Sequence, residues 1–287
     1  MSATTGDRAH GPTADEPADE PAEEPVRLAG GMANSRAVFR RGDRVDRPAP
    51  PQAKALHAHL AALRAGGFDG VPEPLAIGPD GREQLGFVPG DVPLPPFPDW
   101  AMTEAALRSV GALLRRLHGA SAALPPPDAS TGWSTELADP EGGSVLCHND
   151  ACLENVVFRE GRAVALIDFD LAAPGRPLWD VAQAARYWAP MRDPRSRAGF
   201  YPEGLDAIAR ARVLADGYGL TPRDRADLPE AIERATAVGR AFVARRVANG
   251  DPVYRRAVAE GGGWARWDRI QRWQRAQREA LRGALLE

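Results

Sequence analysis

Residues 147–158 read CHNDACLENVVF, and residues 167–170 read IDFD. Asp150 and Asn155 stand five apart, and Asp168 and Asp170 follow after an apolar run. Carboxylate and amide oxygens of this kind are hard donors suited to a divalent cation such as magnesium. One carboxylate beside a reacting hydroxyl, with an amide oxygen and a second carboxylate on a cation, is what phosphoryl transfer requires. A short loop from Asp150 to Asn155 lets both side chains converge on one small volume. A hairpin over residues 156–167 would then return the chain so that Asp168 faces them. Polar residues also gather between strands without any chemistry, but the order of the two motifs, with a hairpin between, favours the chemical reading.

Positioning these groups calls for two kinds of structure. Residues 26–91 read as strand-rich with one helix. Extended runs fall at 26–29, 37–40 and 44–47, separated by Gly30-Gly31 and by a Gly42-Asp43 turn, and two more lie at 75–77 and 83–88. Leu56, Leu60 and Leu63 within residues 52–64 are spaced for an amphipathic helix that stops at Gly66-Gly67. After a Pro-rich linker near residues 88–98 the pattern turns helical. Leu107, Val110, Leu114 and Leu117 form one apolar stripe over residues 103–118. Short apolar runs at 144–146, 155–158 and 163–167 follow, the last two joined through Arg159-Glu160-Gly161-Arg162. Beyond Pro177 the chain reads as helices, broken near Pro190, Gly217 to Gly219, Asn249-Gly250 and Gly261 to Gly263. The expected organisation is an acidic, Pro-rich disordered tail at 1–25, a β-rich lobe at 26–91 and a helical lobe at 92–287, with a cleft between the lobes as the natural place for a ligand.

Composition narrows the classes. With 44% hydrophobic and 26% charged residues in 287, the chain reads as an ordinary globular protein with interior enough for a real core. No apolar run approaches a bilayer span, and residues 1–25 lack the apolar region of a secretory signal, so a cytoplasmic location and no membrane partner are expected. Those 25 residues hold seven acids and one base, which leaves the remainder close to neutral despite the overall charge of -3. Such a balance gives no nucleic-acid footprint. Lys54 is the only lysine, so a GxxxxGK[ST] phosphate loop is excluded and any cationic phosphate contact must come from Lys54 or an arginine. Cys147 and Cys152 sit in the motif segment and suggest no disulfide framework.

HxDxxxxN followed by a strand pair and IDxD resembles the catalytic core of the aminoglycoside phosphotransferase family, small-molecule kinases with a protein kinase-like fold. The resemblance covers roughly residues 26–260 in element order, with its sharp motifs at 147–180. It implies an α+β, two-lobed kinase-like fold and transfer of the γ-phosphate of ATP, or GTP, to a hydroxylated small molecule. It assigns Asp150 to orienting and deprotonating the acceptor hydroxyl, and Asn155 and Asp168 to Mg2+. His148 would pack behind the loop, and Asp180 would pin that loop from beneath. Asp170 would assist at the metal or bond backbone. Asn149 stands where the family usually has glycine; asparagine tolerates the left-handed backbone better than most residues. Over the phosphates the resemblance points to the loop of Gly31, Asn34 and Ser35, and at the nucleotide base to the hinge at Phe87 and Val88. The family's strand lysine is replaced by Arg47, whose planar fork also grips phosphate. The glutamate expected on the following helix is missing, since residues 47–68 hold no acid, and His57 is the nearest polar candidate.

Other readings compete. Cys147, His148 and Cys152 are zinc-ligand types, although no fourth ligand or CxxC pair accompanies them. Trp264, Trp267 and Trp273 among C-terminal arginines would suit a nucleic-acid or membrane surface, or a helix packed on its own domain. A pseudokinase would bind nucleotide without transfer. Glu203, Asp206, Asp216 and Glu230 are acids that would meet a cationic acceptor, such as an antibiotic, with nothing in the spacing to single one out.

Overall fold

The computed structural model describes residues 24–28 and 37–287. The acidic tail up to residue 23 and the loop carrying Gly31, Asn34 and Ser35 lie outside the described residues.

The architecture is α+β. Five antiparallel strands, β1 (Val26–Arg27), β2 (Phe39–Arg41), β3 (Arg44–Pro48), β4 (Pro74–Ile77) and β5 (Arg82–Gly86), form a sheet in the order β1-β2-β3-β5-β4. Gly42, at φ 59°, turns β2 into β3 where a Gly-Asp turn is expected. Helix α1 (Ala53–Ala65) buries Leu56, Leu60 and Leu63, the residues of its apolar stripe, and ends at Gly66. The last strand runs from Arg82 to Gly86, so Phe87 and Val88 leave the sheet rather than extend it.

Gly90 and Asp91 attach this sheet to the rest of the molecule. Asp91 and Phe158 exchange both backbone hydrogen bonds, each 2.8 Å. A Cβ at Gly90, which has φ 147°, would fall 2.4 Å from the Phe158 carbonyl oxygen, so only glycine permits the approach.

Helix α2 (Glu104–Ala122) opens on Thr103, whose hydroxyl accepts from the Ala106 amide, and buries Leu107, Val110, Leu114 and Leu117. Two small antiparallel ladders follow. Strands β6 (Val145–Cys147) and β9 (Ala173–Gly175) form one; β7 (Val156–Arg159) and β8 (Arg162–Leu166) form the other. The β7–β8 hairpin turns on Glu160 and Gly161, both at positive φ, as a two-residue turn between twisted strands demands. The remainder is helical: α3 (Pro177–Trp188), α4 (Pro194–Arg197), α5 (Ala207–Tyr218), α6 (Pro222–Ala248), α7 (Pro252–Glu260) and α8 (Gly263–Leu286). Gly219, in left-handed conformation, ends α5.

One core runs from α1 through α2 and the hairpin to α3, α5 and α6, with Trp179 and Trp188 among its largest buried side chains. Helix α8 packs on α6 and α5. Trp264, Trp267 and Trp273 are half-buried along α8 rather than displayed, and the helix's arginines reach acids on α6: Arg278 bonds Glu233 and Arg282 bonds Glu230. Among the described residues no helix is long and apolar enough to cross a membrane.

The tightest helix contact is α2 on α5. A Cβ at Gly111 would lie 2.6 Å from the Leu214 carbonyl oxygen and the Tyr218 nitrogen, and one at Gly217 would lie 2.4 Å from the Arg108 oxygen. Gly111→Val is expected to force these helices apart and destabilise the fold by about 1–3 kcal/mol, a loss to be read from the urea midpoint.

Candidate active site

Asp180, in the first turn of α3, is fully buried and organises the loop that carries Asp150. Its Oδ2 accepts from the His148 amide at 2.7 Å and its Oδ1 from the Asn149 amide at 2.6 Å. His118 Nε2 lies 3.0 Å from the same Oδ2, and Tyr218 Oη lies 2.9 Å from His118 Nδ1. Burial alone would raise the Asp180 carboxyl, but the bonds from His118 and His148 win and hold it below the usual range. His118, on the inner face of α2, is a part of this anchor that the motif reading missed.

His148 is fully buried and packs against Phe169, the ring centroids 4.4 Å apart and the planes tilted by 57°. The Asp150 amide donates to its Nδ1 at 3.2 Å, which leaves Nε2 to donate to the Ile167 carbonyl at 2.9 Å. Both ring nitrogens are thereby occupied in joining the two motif loops, and burial holds the ring neutral by pulling its pKa down. Asn149 takes φ 64° and donates from Nδ2 to the Leu171 carbonyl at 3.0 Å. The left-handed backbone implied for this position is therefore present.

Asp150, Asn155 and Asp168 meet at one wall of a cavity of about 760 Å³. Asn155 Nδ2 donates to the Asp150 carbonyl at 2.9 Å and to Asp150 Oδ2 at 3.1 Å, so its amide oxygen is the atom left for another task. The Ile167 amide donates to the Asn155 carbonyl at 2.9 Å, bringing Asp168 beside them. Asp168 also adopts φ 64°, a conformation that costs free energy in a non-glycine residue and persists only where its surroundings impose it. Burial and the neighbouring Asp168 push the Asp150 carboxyl up to about 8, against a downward pull from Arg186. Crowded oxygen donors of this kind fit a hard divalent cation, which would relieve their repulsion.

Arg47 reaches the same carboxylates from β3. It is 7% exposed, and its three nitrogens lie 2.7 Å from Glu83, 2.7 Å from Asp168 and 2.5 Å from Asp170. Burial opposes its charge, yet Asp170, Asp168 and Glu83 together hold its pKa above normal. Glu83 supplies the acid that α1 lacks. It is the cross-strand partner of Arg47 in the β3–β5 register, and His57 Nε2 holds its second oxygen at 2.9 Å. The available signal was the single acid on the neighbouring strand, rather than any residue of the helix. Lys54 is exposed on α1, which leaves Arg47 as the cation at the motif. Asp170 bonds Arg47, and its carbonyl accepts from Gln52 Nε2 at 2.7 Å.

At the other end of the sheet, Phe87 and Val88 line the cavity along with Leu28, Val38, Val45 and Leu85. The Phe87 amide donates to Asp43 at 2.7 Å, and Arg40 stacks on its ring at 3.9 Å.

The zinc arrangement does not assemble. His148 has no free nitrogen, and the Cys152 thiol lies 3.9 Å from Glu154. His118, Cys147 and Asp180 do cluster within 4.8 Å, but Asp180 and His118 already satisfy each other and their neighbours. The acids expected at an acceptor site are engaged or exposed elsewhere. Asp206 caps α5, Asp216 bonds Arg225, Glu230 bonds Arg282 and Glu203 is exposed; none lines the cavity.

Fold and site together define a kinase-like phosphotransferase architecture. A choline/ethanolamine kinase family protein from Mesorhizobium loti shares it over 92% of each chain, with TM-score 0.62 at 18% identity. The macrolide 2'-phosphotransferase MphH from Brachybacterium faecium shares it with TM-score 0.53 at 18% identity, over 83% of this chain and 91% of that one. The ADP-bound aminoglycoside phosphotransferase APH(2'')-Ib does so with TM-score 0.56 at 13% identity, over 91% and 95%. Residues 132–215 match the phosphotransferase enzyme family, APH. The trifolitoxin immunity protein of Rhizobium leguminosarum bv. trifolii is 36% identical over 194 residues, 66% of this chain and 72% of its own. The chain belongs to the aminoglycoside phosphotransferase family.

Replacing Asp180 with alanine leaves His118 and two loop amides without their acceptor. The expected cost is about 3–5 kcal/mol, measured as a fall in the urea midpoint. The pH dependence has a definite sign. A carboxyl held below its unfolded value stabilises the fold above about pH 4 and loses that contribution as pH falls through the folded value. Asp180→Asn is expected to show a shallower loss of stability than wild type between about pH 4 and pH 2.

Proposed function

We propose that the chain transfers the γ-phosphate of a nucleoside triphosphate, ATP in the first instance, to a hydroxyl of a small polar molecule. The observation that carries this is the convergence of Asp150, Asn155 and Asp168 on a cavity that Arg47 of the sheet also lines, 2.7 Å from Asp168. Residues 26–91 and 92–287 act as two lobes, with the nucleotide between them. Its base lies against Val38, Val45 and Leu85 and meets backbone at Phe87 and Val88, a mode that accepts ATP or GTP alike.

Asn155 and Asp168 would hold Mg2+, with Asp170 in support, and the ion when bound would neutralise phosphate charge. Arg47, fixed by Glu83, presents a guanidinium to the phosphates in place of the family's lysine. Contact of Gly31, Asn34 and Ser35 with the phosphates rests on the family resemblance alone, since these residues lie outside the described ones. Asp150 accepts the acceptor's hydroxyl proton and aims its oxygen. A carboxyl raised toward neutrality is matched to that task. Asp180, His118 and His148 touch no substrate; they hold the loop so that Asp150 is in place before substrate arrives, and catalysis follows from positioning and charge.

The similarity to an immunity protein supports a protective role, in which phosphorylation inactivates a toxic compound. A second reading, nucleotide binding without transfer, draws on the contact of Arg47 with Asp168. Asp150→Asn separates the two. On the transferase reading it retains fold and nucleotide affinity while acceptor-dependent ADP production falls by about 10²–10⁴-fold. Unchanged turnover in that variant would remove Asp150 from the assignment.

A further inference from the structure

The cavity continues past Asp150 between α3, α6, α7 and α8, and there its charge is the reverse of what a cationic acceptor needs. Arg186, Arg192 and Arg266 line this end, and among the described residues none of the three is within salt-bridge range of a carboxylate. The contrast with the surrounding helices is sharp. Arg225, Arg240, Arg278 and Arg282 all have acid partners.

Arg186 is only 7% exposed, and its Nη1 donates to Gln183 Oε1 at 2.5 Å. Space for the guanidinium comes from Gly239 of α6, where a Cβ would fall 2.4 Å from Nη2. Arg192 donates to the Arg186 carbonyl at 3.2 Å, and both guanidiniums lie over the Tyr187 ring, at 5.8 and 5.3 Å. Arg266 donates to the Ser196 carbonyl at 3.1 Å. The acids facing this space are Glu154 and Asp150; Glu154 forms no ion pair, and burial raises its pKa. Arg186 and Arg266 are both pulled down by burial first, with repulsion from Arg192 acting on each, offset in part by Asp150 at Arg186 and by Asp193 at Arg266. Arg186 is buried and Arg192 and Arg266 are partly so, and like charges gathered out of water in this way are unfavourable unless an anion neutralises them. Guanidinium forks match carboxylate and phosphate oxygens.

We infer that the acceptor is an anion: a hydroxylated compound whose carboxylate or phosphate docks on Arg186, Arg192 and Arg266 while its hydroxyl lies at Asp150. Phe242, Tyr254 and Trp267 line the same end, so the body of the molecule is apolar or aromatic. A polycationic aminoglycoside is the wrong charge for this surface. The inference rests on the phosphotransferase reading only for what happens to the hydroxyl; the binding preference stands apart from it.

The test uses three probes of one shape and different charge: 3-(hydroxymethyl)benzoate, its methyl ester and 3-(hydroxymethyl)benzylamine. Binding to the full chain is measured by calorimetry without nucleotide, and ADP release is measured separately with ATP and magnesium. The carboxylate is expected to bind on the order of tenfold or more tighter than the ester or the amine. Arg192→Gln combined with Arg266→Gln, checked for an unchanged melting profile, should abolish that preference. Equal binding of the three, tighter binding of the amine, no measurable binding of the carboxylate, or a preference that survives the double substitution would each overturn the inference. Selective carboxylate binding with no ADP release from any hydroxylated anion would uphold the anion site and count against transfer; ADP release with cationic acceptors alone would do the opposite.

Discussion

One buried carboxylate sets the geometry on which the site depends. Asp180 draws two consecutive backbone amides of the loop before Asp150 onto its oxygens, with His118 on the remaining lone pairs. Those bonds impose the left-handed turn at Asn149, and that turn directs Asp150 toward the cavity. His148 extends the same restraint to the second motif by bridging the Asp150 amide and the Ile167 carbonyl. Strain at Asn149 and Asp168 is thus held by groups that contact no ligand, an arrangement suited to catalysis by positioning.

Charge is distributed around this frame with a division of labour. Toward the sheet, carboxylates predominate and Arg47 spans Glu83, Asp168 and Asp170. Toward α3 and α8, arginines predominate. Asp150 lies where the two regions meet, its pKa raised by burial and then by Asp168 and lowered by Arg186. One end is suited to a cation with its phosphates, the other to an anionic group of the acceptor.

Much of this was legible in the sequence because the determining features are local. The stripe on α2, the turns at Gly42 and Gly161, and the five-residue interval between Asp150 and Asn155 all act over short stretches of chain. What the sequence hid was set by tertiary register. Glu83 meets Arg47 only because β3 and β5 pair as they do, so a search along α1 for the missing acid could not find it. His118 looked like the end of an amphipathic helix until α2 packed beneath the loop. The cavity's arginines are scattered from 186 to 266, and only the packing of α3 on α6 and of α6 on α8 gathers them. Of the acids that seemed available for a cationic acceptor, Asp206 proved to be a cap, Asp216 and Glu230 ion-pair partners, and Glu203 an exposed residue away from the cavity.

The central claim is that Asn155 and Asp168 hold a divalent cation together with a nucleotide. Electron paramagnetic resonance of Mn2+ titrated into the protein with ATP tests it most directly. Wild type should immobilise one Mn2+ per chain in a nucleotide-dependent way, and Asp168→Asn should release it while the fold persists. Immobilisation that is unaffected by that substitution would contradict the account.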